Sequence, residues 1–343
     1  MYKVLITRSI FPEVVEELSR RFDVEHNAED RPWTPEELAR RLQGRQAAMA
    51  TVMDRFDEPI LAQSPDLKVV ANIAVGFNNI DIPACTRRGI RVTNTPGVLD
   101  DTTADLTWSL LMAAARRIAE GDAYVRRGDW KIAFGVQYFL GQDIHHATLG
   151  IIGMGRIGRA IARRALGFDM RVLYHNRSRL DDAEERRLNA TWAERDRLLA
   201  ESDFVVVMAP YSPATHHLIG AAEIAKMKPT AVLLNCARGG VVDDAALAEA
   251  LKAKRIAGAG LDVFENEPRI HPELLSLRNV VMTPHIGSAS RATRLTMCRT
   301  AAANLTAVLE GREPSNPVNV VPAKAGTPSL DPGLRRGDDK ESK

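Results

Sequence analysis

The chain has 343 residues, three cysteines and a net charge of +2, with 46 basic and 44 acidic residues interspersed along it. This balance argues against a nucleic-acid-binding surface or an acidic partner, and no apolar run is long enough to cross a membrane. Three cysteines without paired spacing favour a reducing cytoplasm over a disulfide framework, and residues 1–7 have the pattern of a strand rather than a signal peptide. A chain of this length can form two domains.

The first hundred residues alternate between short apolar runs and segments with helical spacing. The runs predict strands at 3–7, 47–52, 67–73 and 90–93, and the spacing predicts helices at 12–21 and 35–42. Strands that alternate with helices indicate a parallel sheet, so this part predicts a small α/β domain. A break at 95–97 precedes a long helix expected at 102–117, for which Asp100 or Asp101 is the predicted N-cap.

A second alternation begins near residue 149 and predicts a complete doubly wound nucleotide-binding domain. Its six parallel strands are expected at 149–153, 170–174, 204–208, 231–235, 258–261 and 280–282. A helix expected at 288–309 then returns the chain to the first domain. The predicted division is a discontinuous substrate-binding domain (1–99 and 288–321) and a nucleotide-binding domain (100–287), with the substrate in the cleft between them.

The last residues, 322–343, are rich in proline, glycine, serine and mixed charge, with Leu330 and Leu334 as their large apolar residues. Such a segment cannot bury enough apolar surface to order itself, so it predicts a disordered tail. The alternative is a tail that docks on the protein and contributes to its function.

A glycine-rich turn carries the clearest functional signal. An apolar strand leads into Gly153-x-Gly155-x-x-Gly158, and a helix and a second apolar strand follow. Gly153 allows a tight turn, Gly155 lets the backbone approach a diphosphate, and Gly158 lets helix and strand pack closely. A lone glycine motif is usually only a turn, but both flanking strands favour a dinucleotide site. The N–H groups at the helix start are expected to bind the diphosphate, with contacts at Met154, Gly155, Arg156, Ile157 and Gly158.

The end of the second strand bears on the choice of nucleotide. An NAD site usually has a carboxylate there for the ribose hydroxyls, whereas here Asn176, Arg177 and Ser178 follow His175 and the next carboxylate is Asp181. A guanidinium and two neutral polar side chains suit a 2′-phosphate. The sequence therefore predicts NADPH as cofactor, with NADH as the weaker alternative; an incidental arginine in a solvated turn is the other interpretation.

Three segments at the carboxyl ends of late strands, 235–240, 262–268 and 283–287, bring an arginine, a carboxylate and a histidine to one edge of the sheet. Carbonyl reduction needs a cation for the substrate carboxylate, and an imidazole that donates a proton to the carbonyl oxygen. Taken singly, the carboxylate and the histidine have ordinary surface explanations. The adjacent pairs His145–His146 and His216–His217 are expected to point apart, so no metal site is predicted.

From Lys3 to about Val321 the chain resembles the D-2-hydroxyacid dehydrogenases, and within them the glyoxylate/hydroxypyruvate reductase branch. The motifs that carry the resemblance are Asn94-Thr-Pro-Gly97, the segment 150–158, Ala237-Arg-Gly239, the segment 258–268 and the segment 284–290. Each motif is moderately specific, and all of them in this order are highly specific. The resemblance implies an α/β fold with a Rossmann-type domain and a smaller flavodoxin-like domain.

The resemblance also implies roles for individual residues. Arg238 is the expected substrate clamp, Glu267 the carboxylate partner and His285 the general acid/base. Backbone N–H groups of Val75 and Gly76 are expected to bind the substrate carboxylate. Independently of the resemblance, Leu99 and Phe77 are the candidates for limiting the space beyond the carbonyl, because both are apolar and large. Asp262 is expected to hold the nicotinamide carboxamide, and further cofactor contacts are implied at Thr103, Cys236, Ala237 and Gly287.

The function implied is NADPH-dependent reduction of glyoxylate or hydroxypyruvate to the D-hydroxy acid. The alternatives are a 2-ketogluconate reductase and a non-catalytic nucleotide sensor resembling the C-terminal-binding-protein corepressors. A homodimer is implied as well, because Trp108, Trp130, Tyr138 and Phe139 lie in the stretch that forms a dimer arm in the family. These aromatic residues could equally belong to an ordinary core.

Overall fold

The computed structural model describes residues 1–321, so the predicted tail at 322–343 lies outside the described residues. The described chain forms two parallel sheets, one of five strands and one of seven, with helices between successive strands. This confirms the predicted two-domain α/β class, while the exact domain limits stay a prediction. Within residues 1–321, no helix is both long and apolar enough to span a bilayer.

The first sheet has the strand order β2-β1-β3-β4-β5, which is the flavodoxin-like order. Its strands are β1 (Lys3–Ile6), β2 (Asp23–His26), β3 (Ala47–Ala50), β4 (Val69–Asn72) and β5 (Arg91–Thr93). Sequence analysis missed β2 because this edge strand contains one large apolar residue, Val24, and none of its residues is fully buried. An edge strand on the rim of a sheet has no need of a continuous apolar run.

Alternating side chains of these strands build two cores, one on each face of the sheet. Val4 and Ile6 point to one face, and Leu5 points to the other. The helices are α1 (Pro12–Ser19), α2 (Pro35–Leu42), α3 (Glu58–Ala62) and α4 (Ile82–Arg87). The two helices that sequence analysis missed, α3 and α4, have five and six residues, too few to show a helical period.

The long helix α5 (Asp100–Ala115) begins two residues earlier than expected, and the predicted cap is wrong. The N-cap position is Leu99, which has no capping side chain, and both candidate aspartates lie in the first helical turn. There their charge favours the positive end of the helix dipole. Asp101 does not cap the helix but forms ion pairs with Arg163 and Arg164, which lie in the helix that follows the glycine-rich turn.

The second sheet has the order β12-β11-β10-β9-β6-β7-β8, the Rossmann order with one added strand. Its strands are β6 (Thr148–Ile152), β7 (Arg171–His175), β8 (Ala190–Trp192), β9 (Phe204–Val207), β10 (Val232–Asn235), β11 (Gly258–Leu261) and β12 (Val280–Met282). The sheet has seven strands rather than the six expected, because the edge strand β8 (Ala-Thr-Trp) has a polar, exposed residue at its centre and so shows no continuous apolar run. The helices are α6 (Ile118–Arg126), α7 (Arg156–Ala165), α8 (Asp182–Leu188), α9 (Arg195–Glu201), α10 (Ala221–Ile224), α11 (Asp244–Lys252) and α12 (Pro272–Ser276).

The last helix, α13 (Arg291–Leu309), packs on the first sheet rather than on the second. It starts three residues later than expected, where the Ser290 side chain accepts a hydrogen bond from Thr293 N. Its buried residues Cys298, Ala301 and Leu305 join the same core as Val4. The chain therefore crosses from the first sheet to the second and back, which places a cleft between the two.

A segment without regular structure, residues 129–147, joins α6 to β6. Five of its large apolar side chains are unusually exposed for this residue type: Trp130, Ile132, Phe134, Val136 and Leu140. Ile144 is buried, and Tyr138 and Phe139 are partly buried. Trp108 does not share this exposed environment and fits the alternative of an ordinary core residue. It is buried in the core, where it stacks on Phe168 with ring centroids 4.8 Å apart.

Candidate active site

A cavity of about 1180 Å³ lies between the two sheets. The loops that follow β1, β3, β4 and β5 of the first sheet line one side, and the loops that follow β9 to β12 line the other. Ligands of open α/β sheets bind at these carboxyl ends. The cavity brings together, from both sides, the sequence-predicted residues Val75, Gly76, Leu99, Thr103, Arg238, Asp262, Glu267 and His285.

His285 and Glu267 form a hydrogen-bonded pair at this cavity. His285 Nδ1 lies 2.7 Å from Glu267 Oε2, and Phe264 N donates to Glu267 Oε1 at 2.9 Å. Within residues 1–321, His285 Nε2 has no protein partner, so it is free to exchange a proton with a bound molecule. Burial tends to raise the pKa of Glu267, but the hydrogen bond and charge of His285 outweigh that effect and lower it.

Asp262 holds the turn that presents His285. Its carboxylate accepts hydrogen bonds from Thr283 Oγ1 at 2.6 Å, Ile286 N at 2.8 Å and Gly287 N at 2.8 Å. His285 has a φ of 52°, in the left-handed region, and its N–H donates to Asp262 O at 2.9 Å. A non-glycine residue keeps such a conformation only when its surroundings enforce it. Sequence analysis missed this role, and the expected contacts of Asp262 and Gly287 with a cofactor stay predictions.

Arg238 is a partly buried cation that lines the same cavity. Its Nη1 donates to Ala237 O at 2.8 Å, while its buried Nε has no partner within the described chain. Burial lowers the pKa of Arg238 and the charge of Glu267 opposes that shift. Because its Nε has no partner in residues 1–321, Arg238 has hydrogen-bond donors that are available to a carboxylate. Asn235 braces the turn, since its amide nitrogen donates to Arg238 O at 3.1 Å.

The loop after β4 places two backbone N–H groups beside this guanidinium. Asn72 Nδ2 donates to Gly76 O at 2.8 Å, and Asn94 Nδ2 donates to Val75 O at 2.8 Å. The two carbonyls are thereby fixed, and among residues 1–321 neither the Val75 nor the Gly76 N–H has a protein acceptor. The loop lies so close to Arg238 that a Cβ on Gly76 would be 2.3 Å from its Nη2. The guanidinium and the two amides together can bind one carboxylate.

The glycine-rich turn has the geometry that a diphosphate needs. Gly153 has a φ of 105°, and a Cβ there would lie 2.6 Å from the Met208 carbonyl carbon. At Gly155 a Cβ would meet no heavy atom within 4 Å, so this side of the turn is open. No side chain caps the start of α7, and its first N–H groups are therefore available to an anion. The residues present fit a dinucleotide.

Met154 and Asn176, which were both expected to contact the cofactor, are hydrogen-bonded to each other. Met154 N donates to Asn176 Oδ1 at 2.7 Å, so neither this N–H nor this oxygen is available to a ligand. This hydrogen bond joins Asn176 to the glycine-rich turn, and the expected cofactor contacts of Met154 and Asn176 stay predictions. The bond forms because β6 and β7 are neighbours in the sheet and their ends meet. Arg177 and Ser178 remain exposed.

Cys236 and Ala237 begin the turn that carries Arg238, and both line the cavity. Burial raises the pKa of Cys236 to about 12, so its thiol is neutral and unsuited to act as a nucleophile. All three cysteines, Cys85, Cys236 and Cys298, are buried free thiols.

The two adjacent histidine pairs were expected to point apart, and this is wrong. The rings of His216 and His217 stack 3.9 Å apart at 24°, and those of His145 and His146 meet edge to face at 5.0 Å. In each pair the second histidine has a positive φ, which turns successive side chains to one side. His216, His217 and Glu265 thus lie within 4.8 Å of one another. Nearly parallel rings direct their lone pairs side by side rather than at one ion, and the absence of a metal stays a prediction.

Comparison with known proteins identifies the family. The profile described as D-isomer specific 2-hydroxyacid dehydrogenase, NAD binding domain, matches residues 108–287, more than half of the chain. The glyoxylate reductase of Thermococcus gammatolerans is 47% identical over 331 residues, which cover 96% of this chain and 99% of that protein. The glyoxylate reductase of Pyrococcus horikoshii is 49% identical over 321 residues, which cover 92% and 96%.

A solved structure is also similar. It is an NADPH-dependent glyoxylate/hydroxypyruvate reductase from Sinorhizobium meliloti in complex with NADP and malonate, and it is 33% identical with a TM-score of 0.83. The match covers 92% of this chain and 96% of that one. Fold and site together define a two-domain oxidoreductase with a nicotinamide cofactor. The chain belongs to the D-isomer specific 2-hydroxyacid dehydrogenases, in their glyoxylate reductase branch, which confirms the resemblance seen in its motifs.

Proposed function

We propose that the protein reduces glyoxylate or hydroxypyruvate to the D-2-hydroxy acid with NADPH as cofactor. The observation that carries this proposal is the His285–Glu267 pair facing the same cavity as Arg238. A proton donor opposite a carboxylate clamp is the arrangement that a 2-oxo acid requires. The curated relatives from Thermococcus gammatolerans and Pyrococcus horikoshii are named glyoxylate reductases, which supports the choice of substrate.

Each side chain then has a defined task. Arg238 and the N–H groups of Val75 and Gly76 bind the substrate carboxylate and fix the position of the adjacent carbonyl. His285 Nε2 donates a proton to the carbonyl oxygen, and Glu267 stabilises the protonated imidazole before that transfer. The nicotinamide, when bound, supplies the hydride. Asp262 keeps His285 in place by holding its turn.

The preferred substrates are short because apolar side chains stand beyond the carboxylate clamp. Leu99 is buried and Phe77 is 40% exposed, and both line the cavity. A site with hydrogen-bonding groups for the hydroxyl of hydroxypyruvate would also discriminate against pyruvate. The 2-ketogluconate alternative requires more space in the same region, and the nucleotide-sensor alternative requires no turnover at all.

A panel of 2-oxo acids tests the proposal directly. We expect the highest kcat/KM for glyoxylate and hydroxypyruvate, and a higher value with NADPH than with NADH because Arg177 lies at the end of β7 where a carboxylate would exclude a 2′-phosphate. Oxidation of the reduced cofactor is followed by absorbance, with pyruvate and 2-ketogluconate as comparison substrates. A higher kcat/KM for 2-ketogluconate than for glyoxylate and hydroxypyruvate supports a 2-ketogluconate reductase. Equal kcat/KM values with NADPH and NADH contradict the preference for NADPH. Cofactor binding without turnover of any substrate supports the non-catalytic nucleotide sensor.

In the Glu267→Gln variant, the rate of reduction is expected to decline at a lower pH than in the wild type. Because the pKa of Glu267 is lowered, its charge is lost only in acid, as the pH falls through that lowered pKa. It therefore stabilises the imidazolium throughout the neutral range, and glutamine removes this attraction at every pH. The measurement is kcat against pH. Glu265→Gln is the control, since its carboxylate contacts His217 at 3.0 Å rather than His285; an unchanged profile in Glu267→Gln contradicts the role.

We also propose that the protein is a homodimer in a reducing compartment such as the cytoplasm. The exposed apolar side chains of residues 129–140 support an interface, and three buried free thiols suit a reducing environment. The mass in solution, measured by light scattering, is expected to be twice that of the chain. Phe134, which is 82% exposed, is expected to be part of the interface, so Phe134→Asp should lower the dimer fraction. A monomeric wild type contradicts the proposal.

A further inference from the structure

A buried hydrogen-bond network lies directly behind the nucleotide loop, which is defined here as residues 176–180. Tyr174, the next-to-last residue of β7, is fully buried. Its hydroxyl donates to Glu185 Oε1 at 2.7 Å and accepts from Leu180 N at 2.8 Å. Glu185 belongs to α8 and is itself buried. One tyrosine hydroxyl therefore ties the far end of the loop to a buried carboxylate.

The near end of the nucleotide loop is fixed by different contacts. Trp192 Nε1, on the edge strand β8, donates to Asn176 O at 3.2 Å. The Asn176 side chain accepts from Met154 N, which ties the same residue to the glycine-rich turn. With both ends held, the residues in the middle, Arg177 and Ser178, have a defined place beside that turn.

The two arginines of the loop differ in their partners within the described chain: Arg179 is paired with a carboxylate, and Arg177 is not. Arg179 donates twice to Glu185, through Nε at 2.8 Å and Nη2 at 2.6 Å. Arg177 is exposed, and within residues 1–321 its side chain makes no hydrogen bond or ion pair. The hydrogen bond from Arg179 lowers the pKa of Glu185 to about 2, so the carboxylate is charged at neutral pH. A bidentate pair with a buried carboxylate holds Arg179 more firmly than an exposed pair would.

The carboxylates near the loop are also engaged. Glu185 is occupied by Tyr174 and Arg179, and Asp181 caps α8 by accepting a hydrogen bond from Glu184 N at 2.8 Å. Neither is directed at Arg177. The environment of Arg177 and Ser178 thus favours an anion of the ligand over an internal partner.

We propose that Tyr174 and Glu185 are positioning residues for the 2′-phosphate of the nucleotide. They withdraw Arg179 from the ligand and hold the loop so that Arg177 and Ser178 face the phosphate. This inference rests on the proposed use of NADPH. Tyr174 and Glu185 touch no ligand atom themselves and act through the loop.

Two nucleotide fragments separate this role from catalysis. Adenosine 2′,5′-bisphosphate carries the 2′-phosphate and 5′-AMP does not, so the ratio of their dissociation constants measures phosphate recognition by the full chain. Calorimetry without substrate gives both constants. In the wild type we expect tighter binding of the bisphosphate. Arg177→Ala should lower this preference by about ten- to a hundredfold, the effect of a charge-assisted hydrogen bond, and Arg179→Ala should leave it nearly unchanged.

The positioning residues are tested in the same way. Tyr174→Phe keeps the buried ring but removes the hydroxyl, and it should lower the preference by about two- to tenfold, the range of one hydrogen bond, with 5′-AMP binding unchanged. Glu185→Gln should release Arg179, so adding Arg179→Ala should alter the preference in this variant although it does not in the wild type. A purely structural role would instead weaken both fragments equally.

The outcomes are distinguishable. A wild type that binds both fragments equally contradicts the proposed NADPH preference. A wild type with a preference that Tyr174→Phe retains in full, or that Arg179→Ala lowers as much as Arg177→Ala, overturns the inference about the network and leaves NADPH preference intact. A Tyr174→Phe variant that loses affinity for both fragments to the same extent also overturns it.

Discussion

Replacement of His285 by alanine is expected to lower kcat for 2-oxo acid reduction by about 10²–10⁴-fold, which is the contribution of general acid–base catalysis. The affinity for NADPH should change little, because the His285 ring pairs with Glu267 and contacts neither the glycine-rich turn nor the nucleotide loop. The measurement is a single-turnover rate with saturating substrate, together with the dissociation constant for NADPH. The loss should appear in kcat rather than in cofactor binding.

A second variant separates loss of the imidazole from disturbance of the backbone. His285 has a φ of 52°, a conformation that alanine tolerates poorly and asparagine adopts more readily. His285→Asn should therefore keep the turn but lose the same activity as His285→Ala. His217→Ala, which removes a histidine paired with Glu265, is the control and should retain activity. If His285→Asn keeps more than about a tenth of the wild-type kcat, His285 is not the proton donor.

The sequence predicted every interior strand of both sheets and one edge strand of each, but it missed the other edge strands, β2 and β8. The interior strands are continuous apolar runs because helices cover both of their faces, and runs such as 204–207 are visible without any alignment. The edge strands β2 and β8 are short, and their side chains are less completely buried. These two strands form through hydrogen bonds to a neighbouring strand that is distant in sequence, and the sequence pattern alone does not show that neighbour. The helices α3 and α4 were missed for a different reason, since five and six residues are too few to show a helical period.

For the site, residue types were predictable and contacts were not. Arginine, glutamate and histidine at strand ends indicated the chemistry, but the residues that hold them were missed. Asn72 ends β4 and Asn235 ends β10, and each donates to a backbone carbonyl of a loop that lines the cavity. A polar residue that ends an apolar strand is a signal that could have found both. No such signal marks Asn176, whose partner on the glycine-rich turn is set by the pairing of β6 with β7.

Replacement of Gly76 by alanine is expected to lower kcat/KM by about 10²-fold, the loss typical of a displacement of about 1 Å at a catalytic site. A Cβ at this position would lie 2.3 Å from Arg238 Nη2 and 2.9 Å from its Cζ. Such distances are too short, so the loop or the guanidinium must move, and the carboxylate site made by both is lost. The backbone of Gly76 is outside the left-handed region, so the effect arises from the contact rather than from strain.

Two further variants decide whether Arg238 is the cause. Gly167→Ala is the control, because a Cβ there meets no heavy atom within 4 Å, and it should leave kcat/KM unchanged. Arg238→Ala removes the side chain that the new methyl group would strike. In that background Gly76→Ala should have little additional effect, since two changes that act through one contact are not additive. If the two effects on kcat/KM instead multiply, Gly76 acts independently of Arg238 and the shared carboxylate site is contradicted.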